Sequence, residues 1–416
     1  MTASAVLIGT LDTKGREYAY VRDILTASGV DVVLVDVGVL REPGTAPDIP
    51  ATEVAAAAGI ALAALRGGSE DADGRAAALD AMRRGAIEIV RRLREAGRCD
   101  GVLGLGGSGG SALLSAVMRS LPFGVPKVLV STMASGDVSS YVGVSDLCLI
   151  HSVTDIAGLN RISRPILRNA AGALAGMLAT PPERMTGDRP AVGVTMLGVT
   201  TPCALRVVDR LDEAGMDAVV FHTVGSGGRA LESLLASGVL TGVIDLTVKE
   251  ITDDLLGGVF VAGPERMRTA GRRGLPQVVV PGAVEVINFG AFDTVPEELR
   301  DGSRPLIRHN EQVTAVRATR EELLRVADEI ADRLNQATGR IEVLIPRAGF
   351  DSYAAHDGPF ADAASDIAFG ERLAGRLRAG IPVVWADTDV NDPGFADLVA
   401  DRYLALAGED VSPAIP

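Results

Sequence analysis

Residues 104–111 read Gly104-Leu105-Gly106-Gly107-Ser108-Gly109-Gly110-Ser111, between an apolar run ending at Leu105 and a helical run beginning near Ala112. A turn nearly free of side chains between strand and helix lets backbone N–H groups converge on an anion. The positive end of the helix favours negative charge at the same place. A related turn, Gly9-Thr10-Leu11-Asp12-Thr13-Lys14-Gly15, follows the first apolar run. Thr10 and Thr13 can donate to phosphate oxygens, Lys14 brings a point charge, and Asp12 can hold Mg2+ through water. Asp12 or Thr13 can equally cap the following helix, and the two roles are compatible. Together these residue types support phosphate binding, most simply of a nucleotide. The candidate cofactor-binding set is Gly9, Thr10, Asp12, Thr13, Lys14, Gly106, Gly107, Ser108, Gly109, Gly110, Ser111 and Thr132. A tight structural turn is the alternative for the glycine run.

Several chemistries are disfavoured by spacing. Gly104 to Gly109 match G-x-G-x-x-G, but a dinucleotide fold places that pattern on its first strand, with a ribose-binding acid about 20 residues on. Here the next strand, Lys127–Ser131, runs into Thr132-Met133-Ala134-Ser135-Gly136-Asp137 with no acid at its tip, which argues against NAD. Asp36, ending the second strand, is either a ribose-binding acid or a turn residue. No Walker A pattern is present. His151, His222, His309 and His356 lack metal-ligand spacing and pair with no cysteine, so no metal centre is expected. No catalytic residue is assigned.

The second half repeats the plan. Thr223-Val224-Gly225-Ser226-Gly227-Gly228-Arg229 reads as strand end, Ser/Gly loop and helix start. A small anionic metabolite, carboxylate or phosphorylated, suits it, making Ser226, Gly227, Gly228 and Arg229 candidate substrate-binding residues. Asp245-Leu246-Thr247-Val248-Lys249-Glu250 follows another strand, its polar residues either facing a ligand or capping a helix. The segment 347–360 reads as a lid or chemistry-bearing loop, adding His356 to the substrate-binding set.

Positioning these residues requires alternating short strands and helices. Strands are predicted at Ala5–Gly9, Val32–Val37, Gly101–Leu105, Lys127–Ser131 and Leu147–Ile150. In the second half they fall at Ala191–Met196, Ala218–His222, Gly242–Leu246, Gln277–Val280, Ile341–Ile345 and Pro382–Trp385. Helices are predicted at Gly15–Ala27, Thr52–Leu65, Gly74–Ala96, Ser111–Ser120 and Ile156–Ala179. Others follow at Pro202–Ala214, Gly228–Ala236, Pro264–Gly271, Arg320–Gln336 and Asp362–Arg378. At an offset of 186 positions Val21 meets Val207, Leu25 meets Leu211, and Gly29 meets Gly215. That is either an internal repeat or shared α/β grammar. The fold class is α/β, with two Rossmann-like, doubly wound, mostly parallel domains facing a cleft. They cover 1–185 and 186–416, joined by a linker around Pro181, Pro182, Gly187, Asp188 and Pro190.

The 416 residues exceed one typical domain. Hydrophobic residues make up 47% and aromatics only 4%, so aliphatic side chains and alanine must fill the core. A formal charge of −14 argues against nucleic acid or an anionic membrane as partners. The opening Met1-Thr2-Ala3-Ser4 has no signal-peptide pattern, and Cys99, Cys148 and Cys203 read as reduced thiols, so the expected location is cytoplasmic.

Four segments carry a resemblance. Gly9–Gly15, Gly104–Ser111, Val284-Glu285-Val286-Ile287-Asn288-Phe289-Gly290 and His309-Asn310-Glu311-Gln312-Val313-Thr314 are similar to the ATP-binding domain of plant tobamovirus-resistance proteins. Bacterial relatives of that domain form an uncharacterised protein family. The resemblance covers essentially the whole chain; Lys249 and Glu285 depart from it, where a Thr and a smaller acid are expected. It implies ATP binding in the N-terminal half, two subdomains and a tendency to form a homodimer. The expectation is therefore a cytoplasmic protein binding ATP or a related purine nucleotide. One alternative is an enzyme acting on a small anionic metabolite with nucleotide as substrate or effector. Another is a nucleotide-gated protein–protein interaction module.

Overall fold

Aliphatic runs of four to six residues bounded by glycine and polar turns suit strands buried on both faces, the condition of a parallel sheet. The computed structural model describes residues 2–68, 72–180 and 189–408. The chain divides into two compact units, Met1–Arg184 and Met185–Pro416. The linker residues Pro181, Pro182, Gly187 and Asp188 lie outside the described residues.

In the first unit, β1 (Ser4–Gly9), β2 (Asp31–Asp36), β3 (Gly101–Gly106), β4 (Lys127–Ser131) and β5 (Cys148–His151) form one sheet. Its order is β2-β1-β3-β4-β5, parallel throughout. Strand alternation divides the core. Ala5 and Leu7 pack with helices Leu11–Ala27 and Ser163–Ala179, while Val6 and Ile8 pack with helices Ala72–Glu95 and Ser108–Arg119.

In the second unit, β6 (Ala191–Met196), β7 (Asp217–His222), β8 (Gly242–Thr247) and β9 (Gln277–Gly282) are followed by an insertion. The insertion, β10 (Val286–Phe289), β11 (Leu306–Arg308) and β12 (Thr314–Arg317), makes a three-stranded antiparallel sheet. β13 (Ile341–Pro346) and β14 (Val383–Ala386) then complete a six-stranded parallel sheet ordered β14-β13-β9-β8-β6-β7. Counted within its unit, this is the 2-1-3-4-5 order of the first unit with one strand added. Val21 and Val207, and Leu25 and Leu211, are fully buried on the first helix of each unit. Gly29 and Gly215 follow those helices at φ +80° and +77°. The offset matches thus occupy equivalent places.

The structure corrects several expected elements. The helix expected over Thr52–Leu65 is two helices, Ala51–Ala57 and Leu62–Gly68, broken where Gly59 takes φ +76°. The helix expected at Pro264–Gly271 is confined to Thr269–Arg272, and that expected from Ile156 begins at Ser163. Helix Ser108–Arg119 starts three residues before Ser111, so most of the glycine run is the helix's own first turn. Strands β10–β12 and the last helix, Pro393–Gly408, were not expected. Among the described residues no helix is long and apolar enough to cross a membrane.

Order 2-1-3 creates a switch point, because the chains leaving β1 and β3 go to opposite faces. The two strands stay paired from Ala5↔Gly101 to Ile8↔Gly104 and then part. Tyr18, from helix Leu11–Ala27, bridges the opening: its hydroxyl donates to Ile8 O (2.6 Å) and accepts from Leu105 N (2.7 Å). A Cβ at Gly9 would collide with the Tyr18 ring, which accounts for that glycine. Burial pushes the Tyr18 phenol well above its ordinary range, keeping the donating proton in place. Tyr18→Phe leaves a buried carbonyl and a buried N–H unpartnered, a loss of about 1–3 kcal/mol. The first unit's unfolding midpoint should fall by roughly 2–12 °C in scanning calorimetry; an unchanged midpoint would show that the bridge holds nothing.

Candidate functional site

The first turn of helix Ser108–Arg119 sits at the carboxyl end of β3. Gly107 precedes it in extended conformation and no side chain caps it. Ser111 N is the first to find a carbonyl of its own turn, Gly107 O at 2.7 Å. The N–H groups of Ser108, Gly109 and Gly110 therefore have no acceptor within the helix. The glycines here are of two kinds. A Cβ at Gly106 would lie 2.6 Å from Ser111 N, so packing requires Gly106. At Gly107, Gly109 and Gly110 the nearest atoms to an added Cβ are 3.8, 3.6 and 4.0 Å away. None of the three has positive φ. Neither backbone conformation nor the protein's own packing demands them; what they leave is open space over a helix N-terminus. Thr132 lies alongside, its N–H on Gly106 O (3.1 Å). The Ser111 hydroxyl turns inward to Ser131 Oγ (2.7 Å) and is fully buried.

A cavity of about 220 Å³ adjoins this turn at the switch point. Gly9, Thr10, Asp12, Thr13 and Gly110 of the expected set line it. Its walls are apolar, from Val37 and Leu40 after β2, Leu79 and Met82 of helix Ala72–Glu95, and Leu113 and Leu114. Arg75, exposed on that same helix, adds a cation at its edge. Asp12 is 5% exposed: Oδ2 accepts from Leu40 N (2.9 Å), and Oδ1 has no hydrogen-bond partner. The Thr10 and Thr13 hydroxyls bond to each other (2.9 Å). Lys14 departs from expectation. Its Nζ donates to Ile156 O (2.9 Å), tying helix Leu11–Ala27 to the segment after β5. Asp36 is a structural residue: Oδ1 accepts from Leu11 N (3.0 Å) and Gly38 N (2.8 Å). Burial raises its pKa against those two donors.

The glycine–serine turn of the second unit, which follows that unit's second strand, β7, is filled from within. Ser226, Gly227 and Gly228 open helix Ser226–Ser237, and Glu250 Oε1 accepts from Gly225 N (2.7 Å) and Gly228 N (3.1 Å). Arg266, fully buried, donates to Glu250 Oε2 (2.8 Å) and Asp245 Oδ1 (2.5 Å). A Cβ at Gly227 would strike His222 O and one at Gly228 the Glu250 carboxylate, so both glycines answer to packing. Arg229 donates to Val261 O (2.6 Å). The His356 side chain is 94% exposed, beside Asp357. The structure therefore does not assemble Ser226, Gly227, Gly228, Arg229 and His356 into an open anion site.

A second cavity, about 270 Å³, lies instead where the segments after β6 and β7 meet the inserted antiparallel sheet. Asn288, His309, Asn310 and Tyr353 border it; none was assigned to a binding site from sequence, although the first three lie in the segments that carry the resemblance and Tyr353 in the loop 347–360. Buried charge holds its walls. Asp253 accepts from Phe260 N (3.0 Å) and Asn288 N (2.9 Å) and pairs with buried Lys249 (2.6 Å). Asp351 Oδ1 accepts from Tyr353 N (2.7 Å) and Ala354 N (2.8 Å). Glu285, fully buried, faces Asp351; both Glu285 oxygens and Asp351 Oδ2 lack any other hydrogen-bond partner. One proton shared between the two carboxyls pairs Asp351 Oδ2 with one of the Glu285 oxygens. Burial, then the Asp351 and Asp366 charges, hold Glu285 well above the usual carboxylate range. Burial also raises Asp351, and lifts Asp366 to about 6 against its pairing with Arg317.

The sign of the pH effect follows. Groups whose folded pKa is raised keep their proton in the folded state after the unfolded chain has lost it, so stability falls as pH climbs. These groups should cost the second unit stability from about pH 3.8, the ordinary aspartate value, through about 6 and beyond. Glu285→Gln removes one titration and keeps an N–H for Asp351. Urea unfolding at pH 5 and pH 8 should show a smaller loss in the variant. An equal or larger loss would contradict the shared proton.

Comparison with known proteins places the chain. The model of the uncharacterised protein family (UPF0261) N-terminal domain matches residues 3–183, and that of its C-terminal domain matches residues 189–407. A UPF0261 protein of Rhizobium meliloti is 42% identical over 403 residues, covering 96% of this chain and 98% of that one. One from Clostridium tetani is 38% identical over 407 residues, covering 98% and 99%. The tomato (Solanum lycopersicum) ToMV resistance protein Tm-1(GCR237) is 39% identical over 316 residues, covering 74% of this chain but 41% of that protein. With both domain models matched in order along nearly its full length, the chain belongs to the UPF0261 family.

Proposed function

We propose that the first unit binds a purine nucleotide, ATP in the first instance. The observation carrying this reading is the open first turn of helix Ser108–Arg119. Its uncapped N–H groups lie under three glycines that the protein's own packing does not require. An anion is the natural partner of such a turn. The adjoining cavity supports the rest of the ligand: its aliphatic walls suit a base, and Asp12 Oδ1 is a buried acceptor in need of a donor such as a ribose hydroxyl. Arg75 and Thr132 border the phosphate side, Arg75 taking the role first given to Lys14. Any Mg2+ would arrive on the phosphates, the usual way that ion is held beside a nucleotide. The resemblance to an ATP-binding domain points the same way.

The cavity accommodates one nucleoside, so NAD gains nothing from its second. In thermal unfolding, ATP with Mg2+ at 100 times its Kd should stabilise the protein by about 2.7 kcal/mol, a shift of several degrees. NAD at equal concentration should shift it less. Equal shifts, or none with any nucleotide, would remove the reading.

Gly109→Val places a side chain over the turn without meeting a close neighbour. Calorimetric titration should show at least a tenfold loss of ATP affinity, about 1.4 kcal/mol, with the unfolding midpoint retained. Unchanged affinity in a folded variant would assign the glycines to structure alone.

A further inference from the structure

The second unit's cavity differs in chemistry from the first. Its polar side chains are His222, Asn288, His309, Asn310 and Tyr353, and no Lys, Arg, Asp or Glu lines it. Apolar walls come from Leu197, Val199, Val224, Phe260, Val286 and Val313. Of the neighbouring helix starts, Glu250 occupies that of Ser226–Ser237, while leading into helix Thr201–Glu213 Thr200 Oγ1 takes Leu197 N and Asn391 Oδ1 takes Cys203 N.

Two independent observations mark the cavity as built for a ligand. Asn288 is 95% buried by its 5% exposure, lines the cavity, and its Oδ1 has no hydrogen-bond partner. Buried amide oxygens rarely go unpaired, so a donor from a ligand is the expected partner. The backbone behind the wall is held by means that stability alone does not favour. Lys249–Asp253 and Glu285–Asp351 are buried charged clusters whose hydrogen bonds hold the N–H groups of Phe260, Asn288 and Tyr353. Ala283, leading into β10, takes φ +54°, a strained value for a residue with a Cβ.

We propose that this cavity binds a neutral, planar ring molecule of nucleobase size, a lactam or ring amide whose N–H is received by Asn288 Oδ1. Neutrality follows from the uncharged lining, and the ring from the apolar walls with Phe260 among them. The volume, about 270 Å³, holds such a ring with room for substituents. The hydrogen-bonded pair His309 Nδ1 and Tyr353 OH (3.2 Å) supplies a further donor and acceptor at the wall. The site is independent of nucleotide binding in the first unit.

The test uses the full chain with hypoxanthine and benzamide as neutral probes, and benzoate and inorganic phosphate as anionic ones. Binding is read by saturation-transfer NMR and calorimetry. Two variants report on the site: Asn288→Leu removes the acceptor at similar size, and Gly198→Leu fills the cavity. At Gly198 an added Cβ meets no atom within 4 Å and φ is not positive, so folding is preserved even if Asn288→Leu is unstable. The expected result is that a neutral probe binds and loses at least tenfold in affinity in each folded variant. Failure of both neutral probes to bind, binding indifferent to the variants, or tighter binding of benzoate or phosphate that the variants abolish would overturn the proposal.

Discussion

The first turn of a helix presents N–H groups that its own carbonyls cannot reach, and something must take them. Both units place such a turn at the carboxyl edge of a parallel sheet, and both write it with glycine and serine. They resolve the demand in opposite ways. In the second unit Glu250 reaches back from the helix after β8 and occupies the turn. That carboxylate is balanced by Arg266, which in turn draws Asp245, and Gln277 completes Asp245 with a 2.7 Å bond. Much of the buried polar architecture on that side of the second sheet follows from one internal anion. In the first unit no side chain caps the turn, and the space over it stays open.

The same contrast explains where each unit can receive a ligand. In the first, Tyr18 bridges β1 and β3 below the switch point, which leaves the cavity above it apolar and Asp12 half satisfied. In the second, the turn is occupied, and the open volume shifts to the face built by the antiparallel insertion. Burying Lys249, Asp253, Glu285 and Asp351 is costly, and removing one partner of such a pair costs more than the pair contributes. Their hydrogen bonds converge on the backbone of Phe260, Asn288 and Tyr353, so the expense is concentrated where the cavity wall must be fixed.

Much of the fold was legible in the sequence because strands of a parallel sheet are apolar on both faces and end at glycine. All eleven strands of the two parallel sheets were read to within one or two residues, as with Ala191–Met196 and Lys127–Ser131. β10–β12, three or four residues each, lack that signature and were missed. Both glycine turns were visible, but their difference was not: Glu250 lies 22 residues from Gly228, and nothing local to either announces the contact. For the same reason the partner of Lys14 is not legible locally: Ile156, whose carbonyl holds it, lies 142 residues away. Arg75, Leu79 and Met82 carry no motif; they reach the first cavity only because their helix packs over the switch point.

The glycine turn after β3 is open to an anion, and the glycine turn after β7 is closed by Glu250. Titrating 15N-labelled protein with ATP and Mg2+ tests both halves at once by reading backbone amides. The amide signals of Gly107, Ser108, Gly109 and Gly110 should move with ligand, while those of Gly225, Gly227 and Gly228 stay still. Shifts centred on Gly225–Gly228, with Gly107–Gly110 unmoved, would contradict the account.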